Sequence, residues 1–397
     1  MPVSRDIGPQ APPRQPFWTR SRIRAAVVQL GFVALVSLLI YFLLSNTMAN
    51  LARQGIASGF GFLGQRAGFD VSISFLEFGR NDTYLRGFWT AVVNTLVLAA
   101  LGIFFATIIG FLLGLARVSP NWLISRLATV YIETFRNIPL LLQLFFWYFA
   151  ILRPLPGPRD SVEIPGGAFL NNRGLYLPKP LLDHGAQLTL LAVAAGLVFA
   201  LFMARRARMR REATGQPVAV AHWWALGLLG LPGLVWFSTG ATVGLSVPAL
   251  QGFNYRGGMV MLPELLAALL GLSVYIAAAV GEIVRSGIEG IDRGQTEAAQ
   301  AMGHTRGQIM RFVVIPQAMR IIIPPLTTQY QSLAKNTSLA AAIAFPEIIS
   351  IIAGTTMTQT GQALETIALA MAFYVTVSLS IAAVMNFFNW RVMRRAI

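Results

Sequence analysis

The sequence QTEAAQAMGHTRGQIMRFVVIP, residues 295–316, is a polar segment between long apolar runs. Gly303 stands where a residue in the left-handed conformation would end a first short helix. Thr305 and Gln308 form a capping-box pattern that starts a second helix almost at once. Pro316 is expected to end that helix because proline has no backbone N–H to donate. The segment therefore predicts a helix, a sharp bend and a helix, built to meet a partner outside the membrane.

The composition of the whole chain is that of a membrane protein. Of its 397 residues, 55% are hydrophobic and only 12% are charged, against about 25% charged in soluble proteins. The net charge of +15 could indicate nucleic-acid binding, but the arginines form short clusters beside apolar runs, as in cytoplasmic loops. The absence of cysteine excludes thiolate chemistry, and three widely separated histidines argue against a metal site.

Apolar runs predict an all-α polytopic membrane protein with about eight transmembrane helices. The expected spans are residues 27–44, 88–116, 127–152, 188–204, 222–239, 262–284, 322–353 and 363–389. The Pro- and Arg-rich residues 1–26 predict a disordered tail. Six prolines between residues 153 and 185 predict a loop with little regular structure.

The basic residues predict the orientation of these spans. About two thirds of the 31 lysines and arginines fall on the side that holds both chain termini and residues 295–316. Five arginines within residues 205–211 are the clearest marker of that side. The positive-inside rule makes it cytoplasmic. Tryptophans near span ends, Trp223 and Trp224 among them, are interpreted as interfacial anchors.

Residue patterns for catalysis are missing from the sequence. A phosphate-binding P-loop needs a lysine after its glycines, and the only lysines are Lys179, between two prolines, and Lys335. No paired carboxylates or Ser-His-Asp arrangement stands out. We therefore predict no catalytic residues and no bound cofactor in this chain, which leaves movement of a solute as its function.

Two charged residues fall inside the third expected span, where a charge costs about 2.5 to 3.5 kcal/mol. Glu133 and Arg136 are three positions apart on one helix face, so they could neutralise each other. Alternatively, they and Gln143 face a solute path and bind charged groups of the solute. Pro139 would kink the helix and free the backbone carbonyl near Phe135.

A second polar cluster, Lys335, Asn336, Thr337 and Ser338, is expected early in the seventh span, just past Gln331. It could be an ordinary helix N-cap region. The apolar run that follows favours a place on a polar solute path or at a cytoplasmic gate, and we prefer the path.

The string EAAQAMG followed by VVIP resembles the EAA loop of bacterial ATP-binding-cassette (ABC) importer permeases. Two apolar residues of the consensus are replaced conservatively, by Val313 and Ile315. In that family the loop docks into a groove on the ATPase. The resemblance therefore implies an ATPase-coupling role for a set of six residues: Glu297, Ala298, Ala299, Gly303, Thr305 and Pro316.

Further strings, YIETFRNIPLLLQLFFWYF, GEIVRSGIEGIDRGQTEAA, IPQAMR and KNTSL, are similar to the polar amino acid uptake permeases, the histidine, glutamine and glutamate group. The match covers about residues 87–152 and 262–388. KNTSL replaces the usual Lys-Asp-Thr-Ser-Leu, which removes a possible ion pair. Five core spans of type I importer fold are implied. The three additional spans resemble those of the general L-amino-acid permeases of alphaproteobacteria.

The resemblance also implies domains and partners. The divisions are a cytoplasmic tail 1–26, a peripheral helix 27–46, a periplasmic loop 47–87, core parts 88–152 and 261–390 around an insertion 153–260, a coupling loop 285–320 and a tail 391–397. Implied partners are a second, different but homologous permease, two ATPase subunits that hold ATP and Mg²⁺, and a periplasmic amino-acid-binding protein in a bacterial inner membrane. The alternatives are an ion-driven secondary transporter and a membrane scaffold.

Overall fold

The structure, a computed structural model, describes residues 20–53, 58–215 and 219–394. Its first helices are α1 (Arg20–Arg53), α2 (Tyr84–Arg117), α3 (Trp122–Asn137), α4 (Leu140–Phe145), α5 (His184–Thr214), α6 (Ala221–Ala225) and α7 (Leu231–Thr239). The others are α8 (Pro263–Glu289), α9 (Arg293–Ala301), α10 (Arg306–Ile309), α11 (Ile315–Asn336), α12 (Met357–Thr360) and α13 (Ala363–Arg394). Wide π-turns occupy Phe146–Leu152, Leu226–Gly230, Met310–Val314 and Ile349–Thr356, and 3₁₀ turns occupy Phe60–Gly64, Pro158–Asp160 and Thr337–Ile343.

Among the described residues, six helices are long and apolar enough to cross a membrane, and the bent α3–α4 pair gives a seventh. This confirms a polytopic helical membrane protein but not the count of eight. The predicted span 222–239 is helical, from Ala221 to Thr239, without qualifying as a span. Of the predicted tail 1–26, residues 1–19 lie outside the described residues and residues 20–26 belong to α1. Likewise, α13 extends to Arg394, and residues 395–397 are outside.

The core is built around α8, two thirds of whose apolar window is buried, whereas none of that of α1 is. Helix α2 runs parallel to α8 and contacts it through glycines. A Cβ atom at Gly110 would lie 2.5 Å from Cβ of Val280, and one at Gly114 would lie 2.5 Å from Cβ of Val284. Small residues of this kind let two membrane helices approach to backbone contact. Helix α11 packs against both of them, with Leu333 against Gly102.

The third predicted span is broken at Pro139, where α3 and α4 meet at an angle of 104°. The carbonyls freed by the break are those of Phe135 and Ile138. The side-chain Nε2 of the buried Gln143 donates to both of them, at 2.9 and 3.0 Å. The kink predicted from Pro139 is confirmed, and Gln143 supplies the donor that the backbone has lost.

The second helix of the segment 295–316 was predicted to end at Pro316. Instead it runs without interruption from Arg306 to Ile343. The π-turn Met310–Val314 precedes the proline, which occupies the first turn of α11. In a π-turn the backbone hydrogen bonds join residues five positions apart instead of four. The wider turn accommodates a proline, which has no N–H and whose ring would otherwise clash with the carbonyl four residues earlier. The predicted seventh span, 322–353, therefore starts too late and ends too late. The predicted coupling loop 285–320 includes the end of α8, the residues that join it to the long helix, and the start of α11.

The proline-rich region 153–185 was predicted to have little regular structure. Instead it contributes four strands to a β unit (residues 162–182 and 243–261). Its strands are β1 (Val162–Ile164), β2 (Ala168–Asn171), β3 (Gly174–Leu177), β4 (Lys179–Leu182), β5 (Val243–Ser246), β6 (Ala249–Gln251), β7 (Asn254–Arg256) and β8 (Met259–Met261). A sheet of order β1-β2-β3-β8 joins two chain regions, and β4 pairs with β5. Gly166 and Gly167, both with positive φ, form the turn between β1 and β2. This Gly-Gly pair was the overlooked hairpin signal.

Helix α5 and the helical stretch α6–α7 form a hairpin whose two ends are held together by β4 and β5. Asp183 caps α5 by accepting from the Ala186 N–H at 2.7 Å, and it also accepts from Thr242. These hydrogen bonds hold the pKa of the Asp183 carboxyl below its ordinary value. The two helices cross at Gly196 and Gly227, where a Cβ on Gly196 would lie 1.8 Å from the Gly227 carbonyl oxygen.

Candidate functional site

The predicted helix, bend and helix are present in the coupling segment (residues 290–309), which joins α8 to the long helix. Helix α9 starts earlier than the sequence suggested because Asp292 caps it, accepting from the Gly294 N–H at 2.8 Å. It ends in a Schellman motif, in which the His304 N–H donates to the Ala299 carbonyl and the Gly303 N–H donates to the Gln300 carbonyl. Gly303 has φ of 83°, as predicted.

The second helix begins with the predicted capping box. The Thr305 N–H donates to Oε1 of Gln308 at 2.9 Å, and the Gln308 N–H donates to Oγ1 of Thr305 at 3.4 Å. The bend between α9 and α10 is thus fixed on both sides by local hydrogen bonds, and only Gly303 occupies the left-handed region. This makes the coupling segment a stiff element with one conformationally demanding position.

The coupling segment is attached to the membrane helices through a small apolar cluster. Ala299 of α9, Ile309 of α10 and Val314 of the π-turn are buried together, against Ile288 and Ile291 at the end of α8. Glu297 and Ala298 lie on the opposite, exposed side of α9. A force on that exposed side would therefore be transmitted to α8 and α11 together.

A cavity of about 680 Å³ lies between the coupling segment and the ends of α2 and α8. Its polar lining includes Glu289, Arg293, Thr296, Gln300 and Arg306. Beside it, Met302 is 72% exposed, a large apolar side chain at the tip of the bend. The exposed face of the segment thus combines charge with one apolar contact point, as an interface with another protein would.

The charged residues of the third span are arranged differently from the prediction. Glu133 does not pair with Arg136 but with Arg117 at the end of α2, at 3.4 Å. Arg117 also pairs with Glu282 of α8. The ion-pair partner of Glu133 thus comes from another helix. The spacing of residues within α3 cannot predict such a pair. Arg136 is exposed, and among the described residues it has no ion-pair partner.

Glu282 is the centre of this charge cluster, because it also accepts from Arg285 at 2.6 Å, and Arg285 pairs in turn with Glu289. The cluster ties α2, α3 and α8 together one to two turns from the coupling segment. An ion-pair network at this end of the helices is suited to hold one arrangement of the bundle until the coupling segment moves.

Glu282→Gln is expected to lower the stability of the folded chain, because it keeps the shape of the side chain but removes the charge that two arginines face. We expect a loss of about 2 kcal/mol in the free energy of unfolding, as for a hydrogen bond to a charged group. The matched control is Glu289→Gln, whose parent side chain is 54% exposed, and which should cost under about 1 kcal/mol. Thermal melting of the detergent-solubilised protein measures both, and equal shifts would contradict a central role for Glu282.

The second polar cluster lies at the end of α11 and not early in a span. Thr337 is buried and its hydroxyl donates to the Ala334 carbonyl at 2.8 Å, while the Ser338 hydroxyl donates to the Lys335 carbonyl at 2.8 Å. Lys335 is exposed and Asn336 is half-buried. Because α11 leads away from the coupling segment, the cluster lies at the opposite end of this helix from the coupling segment.

The elements that carry two of the predicted path residues, Gln143 and Thr337, are in contact. Helix α4, which carries Gln143, packs against the 3₁₀ turn that begins at Thr337, and both share one apolar cluster through Leu144 and Ala340. Gln331 instead donates to the Ser378 carbonyl at 2.9 Å and ties α11 to α13. Glu133 and Arg136 lie on α3, and the carbonyl of Phe135, next to Arg136, accepts from Nε2 of Gln143.

One buried polar group was missed. Glu347, which is fully buried, accepts from the backbone N–H groups of Ile349 and Ser350 at 2.8 and 2.7 Å and from the Tyr374 hydroxyl at 3.0 Å. The preceding carbonyl, that of Pro346, accepts from Nδ2 of the buried Asn94. Asn94 was the available signal, because an amide in an apolar span needs a partner.

Comparison with known proteins places the chain in a family. Residues 217–395 match the family described as binding-protein-dependent transport system inner membrane component. The chain is 48% identical to the putative amino-acid ABC transporter permease protein YhdX of Escherichia coli, covering 93% of this chain and 94% of that protein.

Two further relatives extend the comparison. The general L-amino acid transport system permease protein AapQ of Rhizobium johnstonii is 46% identical, over 93% of this chain and 90% of the relative. The glutamate/glutamine/aspartate/asparagine transport system permease protein BztB of Rhodobacter capsulatus is 36% identical, over 93% of each. The similarity to all three relatives extends over nearly the whole chain. This protein therefore belongs to the family of ABC transporter permeases, the binding-protein-dependent inner membrane components.

Proposed function

We propose that this chain moves amino acids across the bacterial inner membrane, driven by ATP hydrolysis that reaches it through the coupling segment. A permease of this family is a multi-pass transport component and not an enzyme, and a separate ATPase carries the hydrolysis. The observation that carries the proposal is the construction of the coupling segment. It is stiff, exposed on one face, and fixed by its other face to α8 and α11.

The cargo is assigned from the relatives, since two are named for amino acids in general and one for glutamate, glutamine, aspartate and asparagine. We expect specificity to reside mainly in the binding protein that delivers the solute. The candidate path residues on this chain are Glu133, Arg136, Gln143, Gln331, Lys335, Asn336, Thr337 and Ser338. Of these, Gln143 and Thr337 belong to elements that pack together, α4 and the turn after α11.

The family implies ATPase partners and a binding protein. Beyond that, we infer two ATPase subunits that bind ATP and Mg²⁺, and a second permease that is homologous to this chain but different from it. Glu297, Ala298, Ala299, Gly303 and Thr305 would form the ATPase contact or hold its shape. Pro316 would act at a distance, because it lies inside the long helix.

Both chain ends are inferred to be cytoplasmic. The β unit, the starts of α2 and α8, and the start of α13 share one end of the bundle, where the Gly59 N–H donates to Glu365. The coupling segment and the arginines 205–211 are at the other end. Because the chain has no cysteine, single cysteines can test this. Gln251→Cys should react with an impermeant maleimide in spheroplasts and Gln300→Cys only after lysis, and the reverse would overturn the orientation.

The proposed function predicts a specific result for the complex isolated from its native membrane. Affinity-tagged chain should co-purify with an ATPase and a second permease. ATP hydrolysis should rise severalfold when the co-purifying binding protein is loaded with an amino acid it accepts. A panel of amino acids, with sugars and metal ions as controls, identifies the cargo. Stimulation by a non-amino-acid solute alone would contradict the proposed cargo class, and the absence of any ATPase would contradict the mechanism.

A further inference from the structure

The hairpin of α5 and α6–α7 contains a basic cavity that the proposed transport function does not use. The cavity has a volume of about 260 Å³ and is lined by Met203, Arg206, Ala207, Arg210 and Trp223. The four residues from α5 follow the spacing i, i+3, i+4 and i+7, so they form one stripe along the helix. The stripe faces α6, the short helix that follows the hairpin loop and carries Trp223.

Local packing explains why a cavity forms here. At Gly196 and Gly227 the two helices are in backbone contact, and further along α5 the buried Ala207 leaves room beside the half-buried indole of Trp223. The indole also makes an edge contact with Phe199, with ring centroids 5.9 Å apart. The aromatic wall is therefore held in place, and the residues of α5, the two arginines included, line the rest of the cavity.

The charges of the cavity are those of two arginines. Arg206 and Arg210 are both exposed, and among the described side chains neither has a carboxylate partner. Two arginines one helical turn apart form a site for an oxygen anion, because the planar guanidinium donates in pairs to phosphate and carboxylate groups.

The depth of the cavity indicates the source of that anion. About 33 Å of helix separates His184, where α5 begins beside the β unit, from Arg206, and the apolar core of a bilayer is about 30 Å thick. The arginines thus reach the headgroup level of one leaflet, where tryptophan is also enriched. Basic pockets between membrane helices on the cytoplasmic side are suited to anionic lipid headgroups.

We propose that this cavity binds the phosphate headgroup of an anionic phospholipid. Arg206 and Arg210 pair with the phosphate, and Trp223 packs against the glycerol and upper acyl region. The bound lipid fills the opening between α5 and α6–α7 and neutralises the arginine stripe. The proposal depends on α5 crossing the membrane and not on which solute the chain transports.

The test compares two double variants that remove the same charge. Arg206→Gln/Arg210→Gln removes the cavity arginines, whereas Arg205→Gln/Arg211→Gln removes two exposed arginines of the same cluster that do not line the cavity. Phosphatidylglycerol is titrated onto the delipidated, purified complex, and bound lipid is counted by native mass spectrometry. We expect the cavity variant to weaken binding about 30-fold, from two lost arginine contacts, and the control to change it little.

Three outcomes would overturn the proposal. Equally weakened lipid binding in both double variants would mean that the lipid is attracted by diffuse surface charge and not bound in the cavity. Equal binding of phosphatidylcholine would mean that the phosphate charge is not recognised. Displacement of the lipid by inorganic phosphate at the same concentration would mean a soluble-anion site. Arg206→Lys/Arg210→Lys, which keeps the charge but loses the paired donation, should fold and bind more lipid than the glutamine variant and less than the wild-type protein. A loss through misfolding is thereby distinguished from a loss of the site.

Discussion

Replacing Gly303 by valine is expected to abolish ATP-driven solute uptake while the assembled complex remains in the membrane. Gly303 has φ of 83° at the end of α9, where a residue with a side chain is strained by roughly 1 to 2 kcal/mol, and more if it is β-branched. A Cβ atom there meets no neighbour within 4 Å, so the damage comes from the backbone conformation alone. Relieving that strain would unwind the Schellman motif and move the exposed face of α9.

Two further substitutions make this prediction specific. Gly303→Asn should retain most of the uptake, because asparagine tolerates the left-handed region. Gly307→Val, on exposed α10, meets no neighbour and lies outside the left-handed region, so it should also be tolerated. Uptake and binding-protein-stimulated ATPase activity are measured in proteoliposomes. Normal coupled uptake in Gly303→Val, or an equal loss in Gly303→Asn, would show that the conformation at this glycine does not carry the coupling.

Gly110→Leu is expected to have the largest effect on stability. Even a Cβ at Gly110 would lie 2.5 Å from Cβ of Val280 and 2.9 Å from the Ala277 carbonyl oxygen. The backbones of α2 and α8 would have to separate, at a cost of about 3 kcal/mol or more in the free energy of unfolding. Since α8 is the most buried span, the whole core would loosen, and we expect little assembled protein in the membrane.

The matched control is Gly31→Leu, which introduces the same side chain into α1, where a Cβ meets nothing within 4 Å. Abundance in the membrane and the melting temperature in detergent should be nearly unchanged in this variant. If both leucine variants lose stability equally, the effect is one of glycine replacement in general. If Gly110→Leu melts like the wild-type protein, the contact between α2 and α8 is not as close as described.

Local rules explain which parts of the fold could be predicted. The turn at Gly303, the capping box at Thr305 and the kink at Pro139 each depend on residues at most eight positions apart. Their hydrogen bonds are specified by side-chain type and backbone conformation. The structure reproduces all three. Apolar runs similarly located most of the spans, with errors at their ends and with one predicted span, 222–239, that does not qualify.

The errors concern contacts between distant residues. The ion pair of Glu133 with Arg117 depends on how α2 and α3 are placed side by side. The β unit depends on pairing between β3 and β8, which are separated by the entire hairpin. The error at Pro316 is of a different kind, because it is local. The proline was expected to end a helix, and the proline itself does not specify the π-turn that accommodates it. Glu347 was overlooked because its burial depends on packing against other elements, such as α13, whose Tyr374 donates to it.

The central claim is that ATP hydrolysis on a partner drives solute through this chain. It is tested most directly by uptake of a radiolabelled amino acid into proteoliposomes that hold the purified complex. The account predicts uptake that requires internal ATP and the binding protein, stops with vanadate, and is indifferent to an uncoupler. Uptake by this chain alone, abolished by the uncoupler and insensitive to vanadate, would contradict the account and identify a secondary transporter.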